Sequence, residues 1–229
     1  MTRHLIRPRL LLALLALGLV VATTALVWGR AGAGPDRCAD RIADAERRSA
    51  LVTGAGPEVL VIGDSWSVGA GVRRDQSWPV RLPGLVRVDG FSGSGFSVGA
   101  SACGDVSYAT RLPASIRTTT ALVVVEGGLN DTDQPAADLE AGVRRVLEAL
   151  GGRPALLVGP PAAPARPRAE VARVDATLAR LAAEHGASYL SMLGARLTYL
   201  DDDLHPDPAG HRAFGDAVAA RVGELLAEG

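Results

Sequence analysis

The stretch Val59-Leu-Val-Ile-Gly-Asp-Ser-Trp66 decides how this chain is read. Four apolar residues, Val59 to Ile62, run without interruption into Gly63-Asp64-Ser65. A short apolar run closed by glycine fits a strand buried on both faces of a parallel sheet. A serine at the carboxyl end of such a strand stands where open α/β sheets place their ligands. A strand followed by an ordinary polar turn uses Gly, Asp and Ser as well. The rest of the chain has to decide between the two.

Moving outward, the pattern repeats. Leu85 to Asp89 reads as a second strand and leads into Gly90-Phe-Ser-Gly-Ser-Gly95. Ala121 to Val125 is the clearest buried strand and ends in Glu126-Gly-Gly-Leu-Asn-Asp131. Ala155 to Val158 is a fourth, closed by Gly159-Pro-Pro161, and Ser188 to Leu190 a fifth. Between them lie amphipathic helices, marked by Leu139, Val143, Val146, Leu147 and Leu150, then by Val171, Val174, Leu178 and Leu181. Phe214, Val218, Val222 and Leu225 mark the last helix. Strands alternating with helices predict an α/β fold: a three-layer α/β/α, flavodoxin-like, five-stranded parallel sheet. All carboxyl ends of such a sheet share one edge. The loops 63–65, 90–95 and 127–131 therefore converge there.

The 229 residues suffice for one substantial domain. A net charge of −1 gives no electrostatic footprint for nucleic acid. Every basic side chain other than histidine is Arg. Arg3, His4, Arg7 and Arg9 precede an almost wholly apolar run, Leu10 to Trp28, nineteen residues long. Such a run spans a bilayer as a helix, and its basic flank stays in the cytoplasm. The expected organisation is an anchor and hinge over 1–34, a helical linker over 35–56 and the α/β domain over 57–229. A signal peptide cut after Ala31-Gly-Ala33 is the competing reading, and it too exports the domain. The expected location is the cell membrane, single-pass with the domain outside, or alternatively secreted, as a monomer. An oxidising compartment favours a Cys38–Cys103 disulfide.

The last informative stretch is Asp201-Asp-Asp-Leu-His-Pro-Asp-Pro-Ala-Gly-His211. Pro206 and Pro208 keep His205 off a helix, and Asp202 lies three residues before it, within reach of the imidazole. A Ser with a His base oriented by an Asp is the arrangement that makes a weak hydroxyl nucleophilic. Attack on an ester also needs donors for the developing oxyanion. Ser65 N–H, a glycine N–H in the 90–95 loop, and the Asn130 amide are the candidates.

Taken together, Gly63-Asp-Ser65, the glycine loop, Gly128-Leu-Asn-Asp131 and Asp202-Asp-Leu-His205 resemble the four ordered blocks of the SGNH, or GDSL-like, hydrolase family. The resemblance covers about Val59 to Ala220. It implies Ser65 as nucleophile, His205 as base and Asp202 as its partner. It also implies an oxyanion hole of Ser65 N–H, a second-block glycine and Asn130. Gly93 is the glycine chosen, with Gly95 the alternative. Trp66 departs from the longer motif, which often has Leu there. The expected activity is hydrolysis of an O-acetyl or short acyl ester through an acyl-enzyme, with no cofactor and no metal. An O-acyltransferase using the same residues, a non-catalytic envelope-binding module and a flavodoxin-like phosphate binder are the rivals.

Several residues carry duller expectations. Gly95-Phe-Ser-Val-Gly99 matches a G-x-S-x-G elbow, but no strand immediately precedes it, so Ser97 is not expected to be the nucleophile. Asp64 and Asp131 are expected to hold their own turns. His185 should end a helix, and His211 should be structural. Trp66 and Phe96 either line a pocket or pack. Arg166 and Arg168 either meet an anionic substrate or sit on a solvated loop.

Overall fold

The computed structural model describes residues 35–228. The apolar run 10–28, its basic flank and the Ala31-Gly-Ala33 sequence lie outside the described residues. Among the described residues no helix is long and apolar enough to cross a membrane. The first helix, α1, is Pro35–Ser49. A compact unit begins at Arg41. Residues 41–56, read above as linker, thus belong to it, and Arg48 is wholly buried. Cys38 and Cys103 are both disulfide-bonded.

The strands are β1 (Glu58–Gly63), β2 (Leu85–Gly90), β3 (Thr120–Glu126), β4 (Ala155–Val158) and β5 (Ser188–Leu190). They form one parallel sheet in the order β2-β1-β3-β4-β5. That order is the flavodoxin-like one, with its reversal point between β1 and β3. The helices after α1 are α2 (Ser65–Val68), α3 (Tyr108–Ser115), α4 (Ala136–Leu150), α5 (Arg168–Glu184) and α6 (Pro208–Glu228).

Alternation along the strands builds the three layers. Val59 and Val61 of β1, with Leu122 and Val124 of β3, face a core completed by Trp66, Trp78 and the α6 residues Phe214, Val218 and Val222. Leu60, Ile62, Val123 and Val125 face the other core, made with Leu112 of α3, Val143 of α4 and Leu178 of α5. Each such side chain contributes roughly 1.5–3 kcal/mol by leaving water. β1 is buried along its whole length, so it cannot slip by a residue without exposing one face to the wrong layer. Gly63 at its end is therefore fixed in space, opposite Gly90 of β2. Helices α2, a single turn of four residues, and α3 are the two the apolar pattern did not show. Even α3 is only eight residues long and contains Pro113, so it carries too few periods to read.

Candidate active site

The turn after β1 is built from Asp64. Its Oδ1 accepts the Trp66 N–H at 2.9 Å, capping the one-turn helix α2. At the other end Gly69, at φ 83°, turns the chain so that its N–H reaches Ser65 O at 3.0 Å. Only glycine adopts this left-handed geometry without strain. Ser65 is thereby held at the carboxyl edge of the sheet. Trp66 is buried and meets Phe214 edge-on, with centroids 5.3 Å apart, and Tyr199 at 6.2 Å. It packs, and it couples the Ser65 turn to α6 and to the chain that leads to His205. Phe96 likewise packs, against Tyr108 at 4.8 Å.

The loop 200–207 is pinned at both ends. Leu200 N–H donates to His205 O at 2.8 Å, and Tyr199 bridges Pro206. Asp207 then caps α6 through Gly210 N–H at 2.7 Å, with Pro208 as the first helical residue. His205 stands on this support. Its Nε2 lies 2.9 Å from Ser65 Oγ, and its Nδ1 lies 2.5 Å from Asp202 Oδ2. The other Asp202 oxygen accepts the Leu204 and His205 N–H groups, each at 2.9 Å. The Asp202 carboxyl is held down at about 2. Burial acts against this, but the hydrogen bonds from the His205 ring and from the two N–H groups, with the charge of His205, outweigh it. Residues 140 positions apart thus meet in one hydrogen-bonded line.

The third loop brings Asn130 to the same edge. Its Nδ2 donates to Ser94 O at 2.9 Å and to Asp64 Oδ2 at 3.1 Å. Gly93 has φ 82°, a conformation that suits glycine. Neither Gly93 N–H nor Ser65 N–H is spent on a hydrogen bond among the described residues. Gly95 is buried instead, where a Cβ would sit 2.6 Å from Asp131 Oδ2. Asp131 departs from expectation: rather than holding its own turn, it accepts Phe96 N–H at 3.1 Å and Ser97 N–H at 2.8 Å, fastening the glycine loop from below. Ser97 is buried in that loop, with no strand immediately before it.

Beneath these loops lies a set of residues that the motifs did not reveal. Glu126, at the end of β3, is buried and accepts the Ser67 hydroxyl at 2.6 Å. Burial, reinforced by neighbouring Asp64, pushes the Glu126 carboxyl up. Burial likewise raises Asp64 and Asp131. Arg111 of α3 reaches in from the side. It donates to Gly63 O at 2.9 Å, Asp89 O at 2.8 Å and Ser94 Oγ at 3.1 Å, and pairs with the Asp89 carboxylate. One guanidinium thus joins the ends of β1 and β2 to the glycine loop. A lone Arg in an unread helix gives no sequence signal for this; for Glu126 the one available signal is a carboxylate closing an apolar strand.

His211 is wholly buried, and its Nδ1 accepts the Trp78 N–H at 3.3 Å. His185 ends α5, as expected. Arg166 donates to Leu129 O at 3.0 Å and borders a groove of about 780 Å³ beside Asn130. The groove is polar, with Gln134, Glu170 and Arg173 among its walls. Arg168 begins α5.

The chain is similar to known proteins in sequence and in fold. Residues 61–213 match the GDSL-like Lipase/Acylhydrolase family. No curated protein matches the sequence. A carbohydrate acetylesterase family member from Sinorhizobium meliloti superposes with a TM-score of 0.61 at 22% identity, over 75% of this chain and 100% of that one. The inhibitor-bound M. smegmatis aryl esterase gives a TM-score of 0.62 at 21% identity, over 75% and 100%. The psychrotrophic esterase EstA from Pseudoalteromonas sp. gives 0.60 at 17% identity, over 75% and 100%.

Proposed function

Because the chain belongs to the GDSL-like lipase/acylhydrolase family and is a carboxylic ester hydrolase, we propose that Ser65 is its nucleophile, with His205 as base and Asp202 as the partner that orients it. The observation that carries the reading is the continuous line from Ser65 Oγ through the imidazole to Asp202. Ser65 Oγ attacks the ester carbonyl carbon as His205 Nε2 takes its proton. Asp202 keeps the Nδ1 proton in place, so Nε2 is free to accept. The tetrahedral oxyanion is met by Ser65 N–H, Gly93 N–H and Asn130 Nδ2. An oxyanion competes well for one Asn130 hydrogen, because a charge-assisted bond outweighs the neutral one to Ser94 O. The alcohol leaves with the proton from His205. Water, deprotonated by the same nitrogen, then cleaves the acyl-enzyme to acid and free Ser65.

The substrate is a short acyl ester of a polar alcohol. Polar walls beside Asn130 support this, as do an aryl esterase and a carbohydrate acetylesterase family member among the similar structures. The domain works outside the cytoplasmic membrane, tethered by the segment 10–28. The basic flank and the disulfide-bonded cysteines support that placement. A fluorophosphonate probe tests the assignment. It should label Ser65 in the native protein and leave Ser65→Ala unlabelled and inactive on p-nitrophenyl acetate. Labelling at Ser97, or activity retained by Ser65→Ala, would move the site.

A further inference from the structure

A second groove, of about 750 Å³, opens at the β2–β1 end of the same sheet edge, across the Ser65 turn from the one beside Asn130. Arg47, Arg73 and Arg74 border it together with the carboxylates Asp44 and Asp75, and so do Ala70, Gly71 and Ser92. Its lining ties it to the site. Ser92 precedes Gly93, and Ala70 N–H donates to Ser65 O at 2.9 Å. Gly71 packs against Leu200, whose N–H holds His205 O.

The charges here do not balance. Arg47 pairs with Asp44 at 2.5 Å and Arg73 with Asp75 at 3.0 Å. Arg74 makes no ion pair among the described residues. Behind the lining residue Leu51, whose carbonyl it holds, Arg48 is wholly buried. Its Nε donates to Ser67 O at 3.1 Å and its Nη1 to Leu51 O at 3.1 Å. Its Nη2 is buried with no hydrogen-bond partner, and no carboxylate among the described residues pairs with it. Burial first, and then the like charge of Arg74, pull Arg48 down to about 10. A buried cation whose charged neighbour is another cation is costly, and an anion in the groove relieves both. Guanidinium groups match carboxylate and phosphate oxygens in geometry as well as charge.

We propose that the groove bordered by Arg47, Arg73 and Arg74, beside the buried Arg48, is an oxyanion subsite. It takes a carboxylate or phosphate group carried by the alcohol half of the ester. This deepens the reading of Ser65 as nucleophile and rests on it for the link to turnover. The ligand class follows from the surplus of positive charge. The extended polar alcohol follows from the tie between this groove and the Ser65 turn through Ala70 N–H.

The test separates the two claims. Melting temperatures of the native protein are measured in inorganic phosphate, in glucuronate and in chloride at matched ionic strength, beside Arg74→Glu and Arg47→Glu. Phosphate or glucuronate should raise the native value above that in chloride, and both variants should abolish the gain. The ion that acts identifies the group. In turnover, kcat/KM for an acetyl ester bearing a carboxylate or phosphate, divided by that for a neutral acetyl ester, should fall by roughly tenfold in Arg74→Glu. Absence of any ion-specific shift, or an unchanged ratio, overturns the subsite. Native protein that stabilises with the ions yet cleaves neither ester upholds the subsite and overturns the nucleophile.

Discussion

Replacing Asp202 with Asn should damage catalysis more than replacing it with Ala. One Asp202 oxygen is held by two backbone N–H groups at 2.9 Å each, while the other faces His205 Nδ1 at 2.5 Å. In Asp202→Asn the amide oxygen takes the place between the two N–H donors, and the NH2 is forced toward the ring. His205 Nδ1 must then accept, which puts the ring proton on Nε2. Nε2–H cannot take the Ser65 proton. Flipping the amide restores the working tautomer but sacrifices two backbone hydrogen bonds, about 1 kcal/mol each. In Asp202→Ala the Leu204 and His205 N–H groups exchange their acceptor for water, but no amide remains to impose the wrong tautomer. The loss to the chemistry is the charge-assisted bond to the ring, about 2 kcal/mol or ~30-fold. The Asp202 side chain is 48% exposed, so water can take over the Nδ1 proton there. Adding the two terms gives about 4 kcal/mol for Asn, roughly 10³-fold in kcat/KM. The assay is p-nitrophenyl acetate turnover normalised to fluorophosphonate-titrated sites, with circular dichroism to confirm folding. An Asn variant as active as the Ala variant would refute the locked-amide argument.

Asn130→Ala should keep its fold and lose about 10²–10³ in kcat with short acyl esters, the usual cost of one oxyanion donor; an unchanged kcat takes Asn130 out of the mechanism. His211 gives a stability prediction. Burial foremost, helped by the charge of His205, holds its ring down to about 4 from 6.5. The stability gained from keeping it neutral is complete above about pH 6.5 and is lost as pH falls toward 4. Between pH 7 and 5 that loss is about 2 kcal/mol. In His211→Gln, where the amide oxygen can still accept the Trp78 N–H, the loss should vanish. The difference in urea-unfolding free energy between native protein and variant should therefore shift by that amount over the interval. A pH-independent difference would show that the fold does not hold the ring's pKa down.

The strand pattern at 59–62, 121–125 and 155–158 carried the fold, because strands buried on both faces must be continuously apolar whatever surrounds them. The site blocks were equally legible, since Ser, Asn, Asp and His at strand ends leave their types in the sequence even when their meeting point does not. The support under the site was not legible. Arg111 acts through carbonyls of residues 22 and 48 positions away, and a bond to a backbone carbonyl leaves no mark on the accepting residue's identity. Asp131 was assigned to its own turn because local hydrogen bonding is the usual use of such a residue; it serves Phe96 and Ser97 because β1 and β3 are neighbours and the glycine loop folds over their ends.

The sequence by itself determined which segments form the sheet, which loops meet on its edge and which residue types are available there. Hydrophobic burial and backbone restriction act residue by residue, so they can be read residue by residue. Tertiary structure alone decided that His205 Nε2 stands within hydrogen-bonding distance of Ser65 Oγ, that Trp66 packs rather than lining a pocket, and that Arg48 is sealed in without a carboxylate partner. Those outcomes depend on strand order and on the close packing of side chains from separate layers. Distance along the chain carries no record of either.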